Sequence, residues 1–349
     1  MNQSVVFGRG QGESVLVQLT EQQWMIVDSC TNDDKEPAAL AYLNNLGLDP
    51  KDHVKIVVIS HFHNDHIKGL NRIIEVCPNA DICISSALNT KEFDAYIKAI
   101  SEPDANFAQT SEFNKVMQHF GKLKNEGRLK FAVADRYIFK QDNISVVALS
   151  PCDNDIVESD INFSNLIKVK ENTQTSDKSA ALINPNHYSV VLRVFDEKSK
   201  HEMLLGSDLE VRTNGGWDAV CACALSPKPN KVNVFKIPHH GSVTGYHEDT
   251  WTHLINGSPE CLLTTYNSVL PAKDMLDKYG SKAKGLYCAS TPSNHNKPDN
   301  FKNILKSLAR SNSTAVLQRK NSRYGYIKVQ NYLSENPQIE IFGDAIKIA

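Results

Sequence analysis

The run Ile56-Val57-Val58-Ile59-Ser60-His61-Phe62-His63-Asn64-Asp65-His66 narrows what this chain can become more than any other feature. Consecutive β-branched residues suit a strand covered on both faces, because their side chains fit a pleated surface and no polar face has to alternate with them. Three histidines and one carboxylate follow directly. His61 and His63 alternate, as side chains leaving one edge of an extended segment do, while Asp65 and His66 stand at the turn into a helical pattern of Ile67, Leu70, Ile73 and Ile74. Imidazole nitrogens and carboxylate oxygens are ligands for zinc and other borderline divalent metals. The segment therefore reads as a cradle for two metal ions on a rigid strand-to-helix platform.

Around this platform, extended and helical patterns alternate. Residues 15–19 and 24–27 predict a hairpin, 38–46 a helix through Leu40 and Leu43, and 54–59 a buried strand. Phe93, Tyr96, Ile97 and Ile100, then Phe113, Val116, Met117, Phe120 and Leu123, recur at helical spacing on either side of Pro103-Asp104. This predicts a helical insertion over residues 88–128, packed on the core. Strands are expected at 129–133, 144–149, 188–194, 203–205, 232–237 and 261–265, helices at 272–279 and 300–309, and a polar loop over 153–180. The chain reads as a single domain, 1–349, with 330–349 a C-terminal extension of unassigned role.

With 349 residues and 41% hydrophobic content the chain can bury a large core. A net charge of −2 gives no global pull toward nucleic acid, so any polyanion must bind a local patch. No apolar stretch approaches the roughly 20 residues that cross a bilayer, and the polar start Met1-Asn2-Gln3-Ser4 does not read as a signal peptide. The expectation is a soluble cytoplasmic protein without a membrane partner, its eight scattered cysteines free thiols, Cys221 and Cys223 included. Oligomeric state leaves no signature.

Beyond the His-x-His-x-Asp-His run, four ordered segments carry a resemblance. Gly10-Gln11-Gly12-Glu13-Ser14, Ile26-Val27-Asp28-Ser29, Leu204-Leu205-Gly206-Ser207-Asp208 and Lys236-Ile237-Pro238-His239-His240-Gly241-Ser242 resemble the metallo-β-lactamase superfamily, and within it the hydrolase domain of the ComEC-type competence protein. Glu13 stands where that branch has aspartate, and Ser29 departs from its glycine. The resemblance implies an α/β fold, the four-layer αββα sandwich, here with the helical insertion and free of the membrane part. It weakens between about residues 88 and 139 and after Val329.

The resemblance also implies a ligand set: His61 and His63 with a further histidine for the first metal, Asp65, His66 and a late histidine for the second, and Asp208 bridging them. Zinc is the metal implied, with manganese an alternative. Asp28 would orient a ligand histidine. Of the adjacent late histidines, His240 is favoured as ligand because it directly precedes Gly241, leaving His239 as a proton-transfer or substrate-contacting group. His187 precedes a strand at about the right place for the missing ligand, although Asn186 to Ser189 match that branch's Asn-x-x-Ser without it. Ser242 and Thr244 could contact an anion and Lys236 could steer one. His295 falls near the family's late histidine loop, whereas His201 reads as an exposed turn residue and His119 belongs to the insertion.

The function implied is a hydrolase that activates water between two metals, with Asp65, Asp208 and His239 at the chemistry and a phosphodiester or other anionic substrate. Two other readings use the same residues: a carboxylic ester, lactone or thioester hydrolase, and a non-catalytic module with a degraded metal site. No Gly-x-Ser-x-Gly elbow supports a serine nucleophile.

Overall fold

The structure is a computed structural model that describes residues 2–10, 12–88, 111–172, 184–222, 231–255, 257–267, 269–293 and 323–349. β1 (Gln3–Arg9), β2 (Gly12–Gln18), β3 (Trp24–Val27), β4 (Val54–Ile59), β5 (Asp81–Ser85) and β6 (Leu129–Ala132) build one sheet. The chain then crosses to a second sheet with β7 (Arg136–Gln141), β8 (Ile144–Ala148), β9 (Leu192–Asp196) and β10 (His201–Leu205). After the two-residue β11 (Val211–Arg212), which joins neither sheet, β12 (Lys231–Lys236), β13 (Glu260–Leu263) and β14 (Gly285–Cys288) complete its parallel half. β15 (Tyr324–Gln330) and β16 (Gln338–Gly343) return to the first sheet, and β17 (Ile346–Lys347) to the second. The orders are β16-β15-β1-β2-β3-β4-β5-β6 and β17-β14-β13-β12-β10-β9-β8-β7.

Strand alternation explains the layers. Val6, Val15, Val17, Met25, Ile56 and Val58 point between the sheets, where they meet Val146, Leu192, Val194, Met203, Leu205, Val234 and Leu262. Their neighbours Val5, Phe7, Leu16, Ile26, Val57 and Ile59 point outward and pack on Leu40, Leu43, Leu70 and Ile73 of the helices Ala38–Asn45 and Leu70–Val76. On the far side Leu204, Phe235, Cys261 and Leu263 pack on Trp217, Trp251, Met275 and Tyr279. The central strands of each sheet are thus covered on both faces, which is why they read as unbroken apolar runs, unlike β7 and β16 at the edges. The result is the four-layer αββα sandwich.

Several local expectations change. The expected loop over 153–180 contains the helix Asp153–Asn172. Up to Asn165, where burial is described, its buried positions are Asp155, Ser159 and Phe163, one face at four-residue spacing, whereas Val157 and Ile161 face solvent. In its first two turns polar residues are buried and Val157 is exposed, so periodicity could not find the helix. Asp155 accepts from Cys152 N (2.9 Å) and Gly216 N (3.1 Å), and Ser159 Oγ donates to Ala87 O (2.6 Å). The strand expected at 188–194 starts at Leu192, after the short 3-10 turn Pro185–Tyr188. β1, β5, β7, β11 and β14 to β17 were not foreseen. His201 is a strand residue, not a turn, with Nδ1 2.7 Å from Asn233 Oδ1. Of the helical insertion, Ser111–Asn125 is helix; the part from 89 to 110, the helix expected at 300–309, Cys223 and His295 lie outside the described residues. No helix among the described residues is long and apolar enough to cross a membrane.

Candidate metal centre

His61, Asp208 and His240 stand just past strands, and Asp65 and His66 lie on the short helix Asn64–Ile67 that follows β4. Parallel strands β3 and β4 end at Asp28 and at Ser60-His61, and β10 and β12 run out toward Asp208 and His240, so one edge of the sandwich collects them. The backbone turns sharply there. Asp28, Ser207, His239 and His240 have φ of 57°, 46°, 47° and 49°, a left-handed conformation that costs a non-glycine residue about 1–3 kcal/mol and persists where surrounding structure imposes it. Gly241 continues the turn at φ +75°, with Leu263 and Pro271 against the place of a Cβ. Gly12 is required for another reason: a Cβ there would lie 2.6 Å from Cys30 Cβ, and this close approach brings the following Glu13 into the site.

His61, His63 and Asp208 offer ligand atoms within 4.8 Å of one another. His66 Nε2 lies 3.4 Å from Asp208 Oδ2 and 3.5 Å from Asp65 Oδ2. His240 Nε2 lies 3.5 and 3.1 Å from the same two oxygens. Asp208 therefore stands between the two sets. Asp28 and Glu13 also fall within these clusters but face the opposite ring nitrogens: Asp28 Oδ2 is 2.8 Å from His66 Nδ1 and Glu13 Oε2 is 3.7 Å from His240 Nδ1. They stand behind the histidines, not inside the cradle. Ser60 donates through N (2.7 Å) and Oγ (2.6 Å) to Asp28, and its Oγ lies 3.0 Å from His61 Nδ1.

A second polar cluster borders the first. His239 is turned from the cradle toward Glu210 Oε1 (3.2 Å) and Thr244 Oγ1 (2.9 Å), with Asn186 Nδ2 donating to its Nε2 (3.1 Å). His187 is not brought to His61 and His63: its Nε2 lies 3.5 Å from Glu210 Oε2, and no metal grouping among the described residues contains it. Burial opposes ionisation of Glu210, yet His187 and His239 hold its carboxyl down to about 2. Ser242 engages Thr244 (Oγ to Oγ1, 3.0 Å). Lys236 is not solvated: it is 1% exposed and paired with Glu13 Oε2 at 2.7 Å. Glu210, Thr264, Ser60 and the Glu13–Lys236 pair escaped the sequence reading, although Glu13, Ser60 and Lys236 lie within the segments it quoted.

The donor set fits divalent cations. Two buried atoms of the cradle, His66 Nε2 and Asp208 Oδ1, have no hydrogen-bond partner, the condition a bound cation relieves. Burial drives His61 well below the ordinary imidazole value and lowers His63 too, favouring neutral rings, whereas at His66 and His240 the lowering effect of burial is outweighed by Asp208 and Asp65, which raise both. Burial disfavours charge on Asp208, but His66 and His240 pull its carboxyl well below the usual range, keeping it anionic.

The family model of the metallo-β-lactamase superfamily matches residues 7–134. Among solved structures, the metallo-β-lactamase fold protein YhfI from Bacillus subtilis aligns over 84% of this chain and 98% of its own, with 14% identity and a TM-score of 0.40. A HARLDQ-motif mutant of a metallo-β-lactamase from Cronobacter sakazakii aligns over 58% of this chain and 60% of its own, with 14% identity and a TM-score of 0.33. The chain thus spans about three fifths of that enzyme's length. No curated protein matches the chain. With the matched segment supplying the His-x-His-x-Asp-His platform and two helix-covered sheets around it, the chain has the metallo-β-lactamase fold.

Proposed function

We propose that this protein is a metal-dependent hydrolase that activates a water molecule between two divalent cations and cleaves phosphodiesters. The observation that carries this reading is the convergence of His61, His63, Asp65, His66, Asp208 and His240 on one edge of the sandwich, with unpartnered ligand atoms among them. His61, His63 and Asp208 would hold one cation, and Asp65, His66, His240 and Asp208 the other. The mixed histidine and carboxylate set suits zinc first and manganese second. When bound, the cations supply a water that ionises near neutral pH and offset the charge that builds on the attacked centre. The first set has three protein groups, which leaves open positions for water or substrate. His239, held on the adjacent Glu210 cluster, would carry the proton transfer.

Charge supports an anionic substrate. A cavity of about 860 Å³ adjoins the cradle at Asp65, without being lined by its histidines or Asp208, and carries Arg9, Lys35, Lys68 and Arg323 against the single further acid Glu112. In a chain of net charge −2 these four cations make a local basic patch beside Asp65, which supports an anionic substrate. A carboxylic ester or lactone is the second reading, favoured by Val243 and Val269, 69% and 68% exposed, and by Tyr266, whose ring lies 5.5 Å from His240. Metal analysis of the purified protein, with a panel of chromogenic phosphodiesters, DNA, RNA, cyclic nucleotides and carboxylic esters, tests the reading. Metal near two per chain with phosphodiester turnover supports it. Well under one metal per chain, or turnover of carboxylic esters alone, overturns it.

A further inference from the structure

We infer that Glu13, Thr264 and Lys236 form a positioning unit for His240, in which the threonine hydroxyl relays a buried carboxylate to the back of the ring. The inference rests on His240 being a metal ligand and extends that reading to groups outside the cradle. Thr264 Oγ1 lies 2.8 Å from His240 Nδ1 and donates its hydrogen bond to Glu13 Oε2. A carboxylate paired with an ammonium at 2.7 Å can only accept, so the single hydroxyl proton of Thr264 is committed to Glu13. The threonine oxygen must then accept from His240 Nδ1–H. That fixes the tautomer, leaving the lone pair on Nε2, the nitrogen facing Asp65 and Asp208 at 3.1 and 3.5 Å.

Lys236 completes the unit. It donates to Ile237 O (2.8 Å) as well as to Glu13, is almost fully buried, and balances the charge that Glu13 brings behind the ring. The same construction occurs on the other side, where Ser60 Oγ donates to Asp28 and accepts from His61 Nδ1, so two ligand histidines are held through a hydroxyl and a carboxylate. Thr264 is available because β13 ends at Leu263, and it is wholly buried. A solvated lysine at a strand end would require none of these contacts.

The test is a zinc competition titration against a chromogenic chelator, with thermal unfolding of the metal-free protein as control. Thr264→Val, nearly isosteric and without the hydroxyl, is expected to weaken one of two zinc sites by about 10- to 100-fold, the usual loss when a partner behind a ligand is removed. Thr264→Ser, which restores the hydroxyl, is expected to restore affinity. The charge-neutral pair Glu13→Gln with Lys236→Met is expected to weaken the same site. A valine variant that unfolds at lower temperature yet keeps both zinc affinities would make Thr264 merely structural and overturn the inference while leaving the metal reading intact. A wild-type protein that binds no zinc would overturn both.

Discussion

Asp208 is the residue that touches both sets of proposed ligands, since its carboxylate faces His66 and His240 and groups with His61 and His63. Asp208→Asn is expected to lower occupancy at both sites, because a neutral amide cannot bridge two cations; metal counted by atomic emission checks it, and full stoichiometry would reduce Asp208 to a strand-end carboxylate. The paired histidines separate by direction. His240→Ala should weaken metal binding by about 10- to 100-fold or more, while His239→Ala should keep the metals and slow turnover by roughly 10²- to 10⁴-fold, the span of general acid-base help. Exchange of these outcomes would exchange the roles. The thiols of Cys30, Cys77, Cys83 and Cys288 are pushed up by burial to about 12. At pH 8 only about one in 10⁴ of such groups is thiolate, so these four should escape alkylation until the protein is denatured, as mass mapping of native and unfolded samples would read.

At the scale of elements, the helix Asp153–Asn172 makes the sharpest contrast between pattern and structure. Its polar residues Asp155 and Ser159 are the anchors, each hydrogen-bonded across to another segment, and its aliphatic Val157 and Ile161 are spectators. Asp155→Ala should therefore cost about 1–3 kcal/mol by stranding buried donors, while Ile161→Lys should stay within about 0.5 kcal/mol of wild type. Chemical denaturation of the two variants checks the inversion, and the opposite ranking would return the helix to an ordinary amphipathic one. The strand runs behaved differently. β4 was legible from Ile56 to Ile59 because both of its faces are buried, and the short-range pattern carries all the information such a strand needs. β7 is half-exposed and mixes Arg, Tyr and Lys with Ile and Phe, so it has no comparable signal.

For the whole molecule, the C-terminal segment ties the sandwich together: β15 and β16 extend the first sheet while β17 pairs with β14 in the second. Between them Tyr332 is fully buried in the inter-sheet core and its hydroxyl donates to Gln18 O at 2.8 Å. Tyr332→Ala should cost about 3–5 kcal/mol as an aromatic core truncation does, and Tyr332→Phe about 0.5–1.5 kcal/mol for the lost hydrogen bond; equal, small losses would mean that the segment is not part of the core. By itself the sequence determined the strand-to-helix platform and the kinds of residue it presents, because those follow from side chains a few positions apart. It also named Asp28, Asp208 and the two late histidines through motifs that travel with strand ends. Only the tertiary structure decided which late histidine faces the cradle, that His187 turns to Glu210, and that Glu13 meets Thr264 from 251 positions away. Those pairings depend on strand order and on left-handed turns at strand ends, and neither leaves a trace in local pattern.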